Sequence, residues 1–302
     1  MLIINRETEL KNITTVATIG KFDGLHRGHF KIIREVLKEA ENGHMRLMAS
    51  FTNHPGSILS TDFKGVLLSE SEKTHILENE GIDFYCELMF DEKLKNTSAE
   101  EFFEDFIVNK WHAKVLVVGD DFHFGKNRAG NIGFLTKQCA EKGIKLVVVP
   151  REEYLGEPIS SSRIKKAMDD GEMEAVTEML GHNYTIRGIV EKGNQLGRTM
   201  GFPTINLYPS NAKYLPRFGV YHSLVEVDGK DYRAITNVGV KPTVTNEQKT
   251  VVESHLLDFD GDLYDTFREV RLLRFTRPEV RFNSLEELKE QLAKDKKGFT
   301  NL

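Results

Sequence analysis

The stretch that most restricts how this chain can fold lies near its start. An apolar, β-rich run from Val16 to Ile19 enters a short loop carrying Gly20, Gly24 and Gly28. After His29 the apolar residues Ile33, Val36, Leu37 and Ala40 recur on one helical face. The pattern is strand, glycine-rich loop, helix. A helix N-terminus presents unpaired N–H groups and the positive end of the peptide dipoles, which suits a phosphate. Gly28 lets the backbone approach closely, and His26 and His29 on either side of it can donate to the same anion. A glycine turn between strand and helix also serves purely structural ends, and the spacing alone does not choose. The loop is neither a Walker A sequence nor the Gly-x-Gly-x-x-Gly dinucleotide fingerprint.

Further along, β-like and helical runs alternate. Met45 to Phe51, Phe84 to Phe90, Lys114 to Val118 and Lys145 to Val149 read as strands. The last two are nearly all apolar, as strands buried on both faces of a parallel sheet are. Ser98 and Glu101 form a capping box ahead of Phe102, Phe103, Phe106 and Ile107, an aromatic stripe that reads as core. The alternation predicts a doubly wound, Rossmann-like α/β domain. Ligands of such folds sit beyond the carboxyl ends of the strands, where His26 and His29 stand. Gly171 to Leu180 reads as a helix stopped by Gly181.

Beyond that the texture changes. Short β-rich runs occur at Tyr184 to Val190, Val220 to Val227, Tyr232 to Val238, Val251 to Asp258 and Arg268 to Phe275. Val227-Asp-Gly-Lys230 is a hairpin signal. The expectation is a small antiparallel β-barrel, closed or nearly so, with a terminal helix over Ser284 to Ala293. The boundary falls near 183, dividing the chain into domains 1–183 and 184–302.

Composition excludes several classes. The 302 residues are 39% hydrophobic and 29% charged, with a net charge of −5, which suits a soluble protein and argues against a dominant nucleic-acid surface. No apolar run is long enough to span a bilayer, so no membrane partner is expected. The first residues lack a signal-peptide layout. Cys86 and Cys139 are the only cysteines and offer neither a disulfide framework nor zinc-ligand spacing, so a reducing cytoplasm is expected. A homo-oligomer is compatible with these numbers.

Two C-terminal strings carry chemistry of their own. Gly193, Gly197 and Gly201 lie among hydroxyl and amide groups that can cover a phosphate tail with backbone donors. Thr204 and Asn206, after Pro203, are neutral oxygen ligands suited to Mg²⁺ shared with phosphate. Glu253, on a strand between apolar neighbours, can orient and deprotonate a hydroxyl.

Taken in order, the motifs resemble one family over almost the whole chain, from Gly20 to about Leu292. Gly20-Lys-Phe22-Asp23-Gly-Leu-His26-Arg-Gly28-His29 resembles the opening of the bacterial bifunctional riboflavin kinase/FAD synthetases. His-x-Gly-His also marks the wider nucleotidylyltransferase superfamily. Ser50-Phe-Thr-Asn-His54-Pro is similar to a family string whose histidine contacts ATP phosphates, with Asn53 where proline is usual. Val118-Gly-Asp-Asp121-Phe-His-Phe-Gly resembles a loop that shapes the ATP and flavin site, with His123 where arginine is frequent. Pro158-Ile-Ser160-Ser161-Ser162-Arg163-Ile-Lys165 resembles the superfamily's phosphate-holding helix start. There Ser162 replaces threonine, and Lys165 replaces an arginine, losing its planar fork. Gly197-Arg198-Thr-Met-Gly201-Phe-Pro203-Thr204-Ile-Asn206 looks like the riboflavin kinase signature. Val252-Glu253-Ser-His-Leu-Leu-Asp resembles the segment with the family's catalytic base, and Asp265 stands where glycine is usual. The segments around Asn237 and around Arg277 match loops near the flavin and nucleotide.

The resemblance implies ATP-dependent phosphorylation of riboflavin to FMN, then adenylylation of FMN to FAD with release of pyrophosphate. It implies ATP as co-substrate, Mg²⁺ on Thr204 and Asn206, Glu253 as base, and His26, His29 and His54 around the adenylyl transfer. Three alternatives stand beside it: a member with only one functional site, a non-catalytic flavin-binding regulator, and a nucleotidylyltransferase for another phosphate substrate. A product assay separates the first two from a bifunctional enzyme, and flavin binding separates the third.

Overall fold

The computed structural model describes residues 1–53, 63–192, 204–242, 248–280, 282 and 284–299. It divides into two compact units, Met1–Ser161 and Ser162–Leu302.

The first unit is built on a parallel sheet. Its strands are β1 (Leu2–Asn5), β2 (Thr15–Ile19), β3 (Met45–Phe51), β4 (Phe84–Leu88), β5 (Ala113–Gly119) and β6 (Lys145–Val149), in the order β1-β4-β3-β2-β5-β6. Helices α1 (Arg27–Glu39), α2 (Glu70–Asn79) and α3 (Ala99–Phe102) and α4 (Ile132–Lys142) connect them. Every residue of β2 is buried. Val16, Met48, Tyr85 and Val117 enter one core layer, and Ala17, Leu47, Cys86 and Leu116 the other. This period-two division covers both faces, as parallel sheets require. β6 departs from the expectation of a doubly buried strand. Among the described residues it is an edge, paired only with β5, and of its residues only Val149 is buried.

The Ser98–Glu101 capping box is formed in both directions. The helix it starts widens over Phe103–Lys110 into π-helical turns, and Trp111 N–H donates to the Phe106 carbonyl five residues back. Phe102, Phe103, Phe106, Ile107 and Trp111 are all buried in one core layer, so the aromatic stripe is packing. β1 went unread in the sequence: it is four residues long, and Leu2 and Ile3 are exposed. Only its parallel pairing with β4 makes it a strand.

The second unit contains α5 (Ser161–Asp170, from Ser162 on) and α6 (Met173–Leu180), then β9 (Tyr184–Ile189), β10 (Thr204–Leu207), β11 (Gly219–Val227), β12 (Lys230–Pro242), β13 (Gln248–Leu256) and β14 (Phe267–Arg277). These strands follow a two-stranded hairpin of the first unit, β7 (Glu153–Tyr154) and β8 (Glu157–Pro158). The antiparallel order is β10-β13-β12-β11-β14-β9, and a single bridge from Glu191 to Asn206 joins its two edges. The sheet therefore curls into a half-barrel. α6 packs on β14 and β9, so residues 162–183 are compact with this sheet. Asp228 (φ 52°) and Gly229 (φ 78°) make the expected tight hairpin. Asp265 (φ 60°) takes the left-handed backbone that a glycine would, and its N–H donates to the Val190 carbonyl, so this turn survives the replacement. The terminal helix α7 (Leu285–Gly298), capped by Ser284, runs farther than its apolar pattern predicts. Its end is held by tertiary partners: Asp295 pairs with Arg277, and Phe299 lies in a core cluster with Val220 and Ile235.

Candidate active sites

In the first unit, β3, β2 and β5 are neighbours and parallel, so their carboxyl ends open on one edge. The loop after β2 is strained. Phe22 (φ 47°) and Leu25 (φ 41°) are buried in left-handed backbone, a conformation costing roughly 1–3 kcal/mol per residue. Tertiary bonds hold it there. The Asp23 carboxylate accepts from Leu67 N–H (2.6 Å), and the Asp23 carbonyl accepts from the Ser161 hydroxyl (2.8 Å). Gly20 faces the Phe22 ring, which a Cβ would meet at 3.1 Å.

His26 is the N-cap of α1, and its side chain makes no capping bond. No acidic residue occupies the first turn, which leaves the helix end suited to an anion. His29, one turn on, stacks on His26 with ring centroids 3.6 Å apart. Phe22 meets His29 edge-on at 5.2 Å. A Cβ on Gly28 would lie 3.2 Å from the His26 ring, so this glycine makes room for the stacked pair. The Nδ1 atoms of both rings are buried with no partner among the described residues. An orphaned buried nitrogen calls for a ligand or a functional explanation. Burial pushes His26 down to about 4 against the opposing carboxylate of Asp23. Burial also holds His29 well below the ordinary imidazole range, with His26 and Lys73 adding to the effect. Both rings are therefore neutral at pH 7.

That neutrality predicts acid sensitivity. Between pH 6.5 and about 4, unfolded His26 binds a proton that the folded ring does not. Its contribution to stability is complete above 6.5 and is lost as the pH falls toward 4, a loss on the order of 3 kcal/mol. Urea unfolding of the wild type and His26→Gln at pH 7 and pH 5 checks this. The variant should lose less stability between the two pH values, and an unchanged difference would refute the assignment.

The other expected residues of this unit are more scattered. Asp121 is exposed in the loop after β5, and its carbonyl lies 2.8 Å from His123 Nδ1. That loop is tightly packed: a Cβ on Gly130 would overlap the Phe124 ring. Ser160 is exposed and Ser161 half-buried. Ser50 and Phe51 close β3, as the strand read over Met45 to Phe51 expects. Asn53 exchanges two hydrogen bonds with the Phe90 backbone, continuing the β3–β4 pairing through its side chain. His54 lies outside the described residues. Sequence reading missed a buried cluster beside the loop, in which Lys73 of α2 donates to Glu70 (2.8 Å) and to Ser50 (3.2 Å). The only local signal was the Glu70–Lys73 spacing of one helical turn.

In the second unit, register assembles the site. Glu253 of β13 lies directly opposite Asn206 of β10 and Asn237 of β12. Opposed residues share a face, so the three form one row across three strands. Thr204, two residues before Asn206, is on that face too, and its hydroxyl donates to Glu253 Oε1 (2.9 Å). With its proton turned to Glu253, the Thr204 oxygen keeps its lone pairs for a cation. Thr204, Asn206 and Glu253 offer only hard oxygen donors, which fits Mg²⁺. Among the described residues no cluster of three His, Cys, Asp or Glu forms an alternative metal site. Asn237 Nδ2 donates to Glu279 (2.8 Å), while its Oδ1 is buried without a partner among the described residues. A Cβ on Gly239 would overlap the Glu279 carboxylate as it is placed against Asn237.

Along the same face of β13, His255 lines a cavity of about 450 Å³ with Ile235, Leu257, Phe259, Leu292 and Lys296. Its walls come from β12, β13, the turn after β13 and α7. Arg277 does not point its charge at this face as a free cation. Its guanidinium makes three bonds of 2.8–3.2 Å to Asp295, whose side chain is 3% exposed. Lys165 Nζ lies 5.3 Å over the Tyr214 ring, Arg163 is half-buried and Ser162 is exposed. Gly193, Gly197, Arg198, Gly201 and Pro203 lie outside the described residues.

Comparison with known proteins matches both units. Residues 8–163 match the family model for FAD synthetase, and residues 180–302 match that for riboflavin kinase. Proteins named bifunctional riboflavin kinase/FMN adenylyltransferase are similar over most of their length. That of Escherichia coli K12 is 36% identical, covering 93% of this chain and 90% of its own. That of Pseudomonas fluorescens is 34% identical over 93% and 90%, and that of Listeria monocytogenes 31% over 95% and 92%. A crystal structure described as a macrolide-efflux protein from Streptococcus pneumoniae is 29% identical, covers all of both chains and superposes with a TM-score of 0.90. Among the described residues here, no helix is long and apolar enough to cross a membrane.

Proposed function

The chain belongs to the bifunctional riboflavin kinase/FMN adenylyltransferase family, and on that premise we propose which residues carry each of its two reactions. The enzyme phosphorylates riboflavin to FMN with ATP, and joins FMN to AMP from a second ATP, releasing pyrophosphate. Residues 1–183 serve the second reaction and 184–302 the first.

In the kinase, Glu253 accepts the proton of the riboflavin 5′-hydroxyl as its oxygen attacks the γ-phosphorus of ATP. The bond to the β-phosphate oxygen breaks, and ADP leaves. Thr204 and Asn206 hold Mg²⁺, which neutralises phosphate charge when bound. The flavin ring occupies the cavity beside His255, whose apolar walls from Ile235, Leu257 and Phe259 suit a planar aromatic head. The observation that carries this reading is the row Asn206–Glu253–Asn237, which sets a base and oxygen ligands side by side, with Glu253 two residues along β13 from the cavity-lining His255. Positioning and charge neutralisation supply most of the catalysis in such transfers.

In adenylyl transfer, a phosphate oxygen of FMN attacks the α-phosphorus of ATP, so no protein nucleophile is needed. What the protein supplies is stabilisation of charge on the transferring and leaving phosphates. The neutral imidazoles of His26 and His29 each have one N–H to donate, and the open N-terminus of α1 adds its dipole. We place the enzyme in the cytoplasm, consistent with its two buried free thiols. It takes small-molecule substrates rather than nucleic acid, in keeping with its net charge of −5.

Chromatography of two incubations tests the assignment. Riboflavin with ATP and Mg²⁺ should yield FMN and then FAD, and FMN with ATP and Mg²⁺ should yield FAD. Chelating the Mg²⁺ should stop FMN formation. Product formation that persists undiminished in chelator would overturn the metal assignment.

A further inference from the structure

Beside the glycine loop lies a buried charge that the reaction as assigned above does not use. Lys73 is 3% exposed. A buried ammonium is costly before its partners are counted, and a methionine would fill much the same volume. Its ammonium donates to Glu70 Oε1 (2.8 Å) and to Ser50 Oγ (3.2 Å). Glu70 Oε2 in turn accepts from the Tyr85 hydroxyl (2.7 Å). Ser50, fully buried at the carboxyl end of β3, donates to the carbonyl of Lys21 (3.1 Å).

The charge gives this chain of bonds a direction. An ammonium has donors only. Ser50 Oγ must therefore accept from Lys73, so its single proton points away from the ammonium and is donated to the Lys21 carbonyl. A neutral side chain at 73 would take away both that donor and the charge that keeps the proton turned from it. Lys21 immediately precedes the left-handed Phe22, so its carbonyl sets where the strained loop begins. Asp23, two residues on, is held at its carboxylate and its carbonyl. Lys21 is the third anchor of the segment that presents the stacked imidazoles.

We propose that Lys73 is a positioning residue for adenylyl transfer: by fixing the direction of the Ser50 hydroxyl it pins the Lys21 carbonyl, and with it the loop carrying Phe22, Asp23, His26 and His29. The proposal rests on the reading that this loop serves the FMN-adenylylating reaction.

Steady-state FAD formation from FMN and ATP tests it. Lys73→Met should lower kcat by about tenfold, since small misplacements of catalytic groups act on kcat. KM for FMN should stay within about twofold, and riboflavin phosphorylation should be unchanged. Ser50→Ala should do the same. The double variant should be no worse than either single one, because both act through one link. Lys73→Arg, also a pure donor, should recover most of the loss. Lys73→Met leaves the Glu70 carboxylate without its cation, so Lys73→Met/Glu70→Gln, which removes both charges, guards against simple unfolding. Normal kcat in either Lys73→Met variant, or losses that multiply in the double variant with Ser50→Ala, would overturn the proposal. His29→Ala run alongside separates the two levels: if it still makes FAD, the site assignment has failed rather than the role of Lys73.

Discussion

His29→Ala loses FAD formation by about 10²–10³-fold and leaves FMN formation at the wild-type rate, the size of effect seen when one donor to transition-state charge is removed. The ring of His29 stacks on His26 at 3.6 Å and is met edge-on by Phe22, so its position is set by two neighbours. Its Nδ1 has no partner among the described residues, and burial keeps it uncharged at pH 7. A neutral imidazole offers one N–H to a phosphoryl oxygen. The variant deletes that donor and leaves the helix end intact. His29→Asn, which keeps a donor on a shorter side chain, should fall between the two. The readout is FAD from supplied FMN, with FMN from riboflavin as the control in the same preparation. Loss of both activities in a folded variant would contradict two separate sites.

Glu253→Gln reverses the pattern: FMN formation falls by about 10²–10⁴-fold, the range for loss of a general base, while FAD formation from supplied FMN continues. Glutamine is the sharper choice than alanine because it retains an oxygen to accept from Thr204, a bond of 2.9 Å in the wild type. It thus preserves the arrangement of Thr204 and Asn206 and removes only the ability to take a proton. KM for riboflavin should change little, since His255, Ile235 and Phe259 line the cavity and Glu253 is not among its lining residues. A Glu253→Gln enzyme that still makes FMN at the wild-type rate would reduce this carboxylate to a structural partner of Thr204.

Local pattern made much of this protein legible without coordinates. The stop and start of β3 at Met45 and Phe51, the capping box at Ser98, the Asp228–Gly229 turn and the glycine at 181 are all decided within a few residues of chain. So are His26, Gly28 and His29, whose spacing of one helical turn already places two rings on the same side of a helix start. Glu253, Thr204 and Asn206 stood out as motif residues in order, though nothing local said that they meet.

Tertiary structure decided what depends on register and on partners distant in sequence. Asn206, Glu253 and Asn237 become one row only because three strands pair without a slip, and a shift of one residue would turn Glu253 to the other face. β1 is a strand because β4 is beside it, and β6 is half-exposed at the sheet edge, where no described strand pairs with its outer side. The cation of Arg277 belongs to Asp295 on the terminal helix, eighteen residues away. Lys73 reads as an ordinary surface lysine on a helix until α2 folds against β3 and buries it beside Ser50. Periodicity and turn chemistry are short-range and are written in the sequence itself. The burial of a charge and the direction of a hydroxyl are not, because both are set by which distant atoms the fold leaves within about 3 Å.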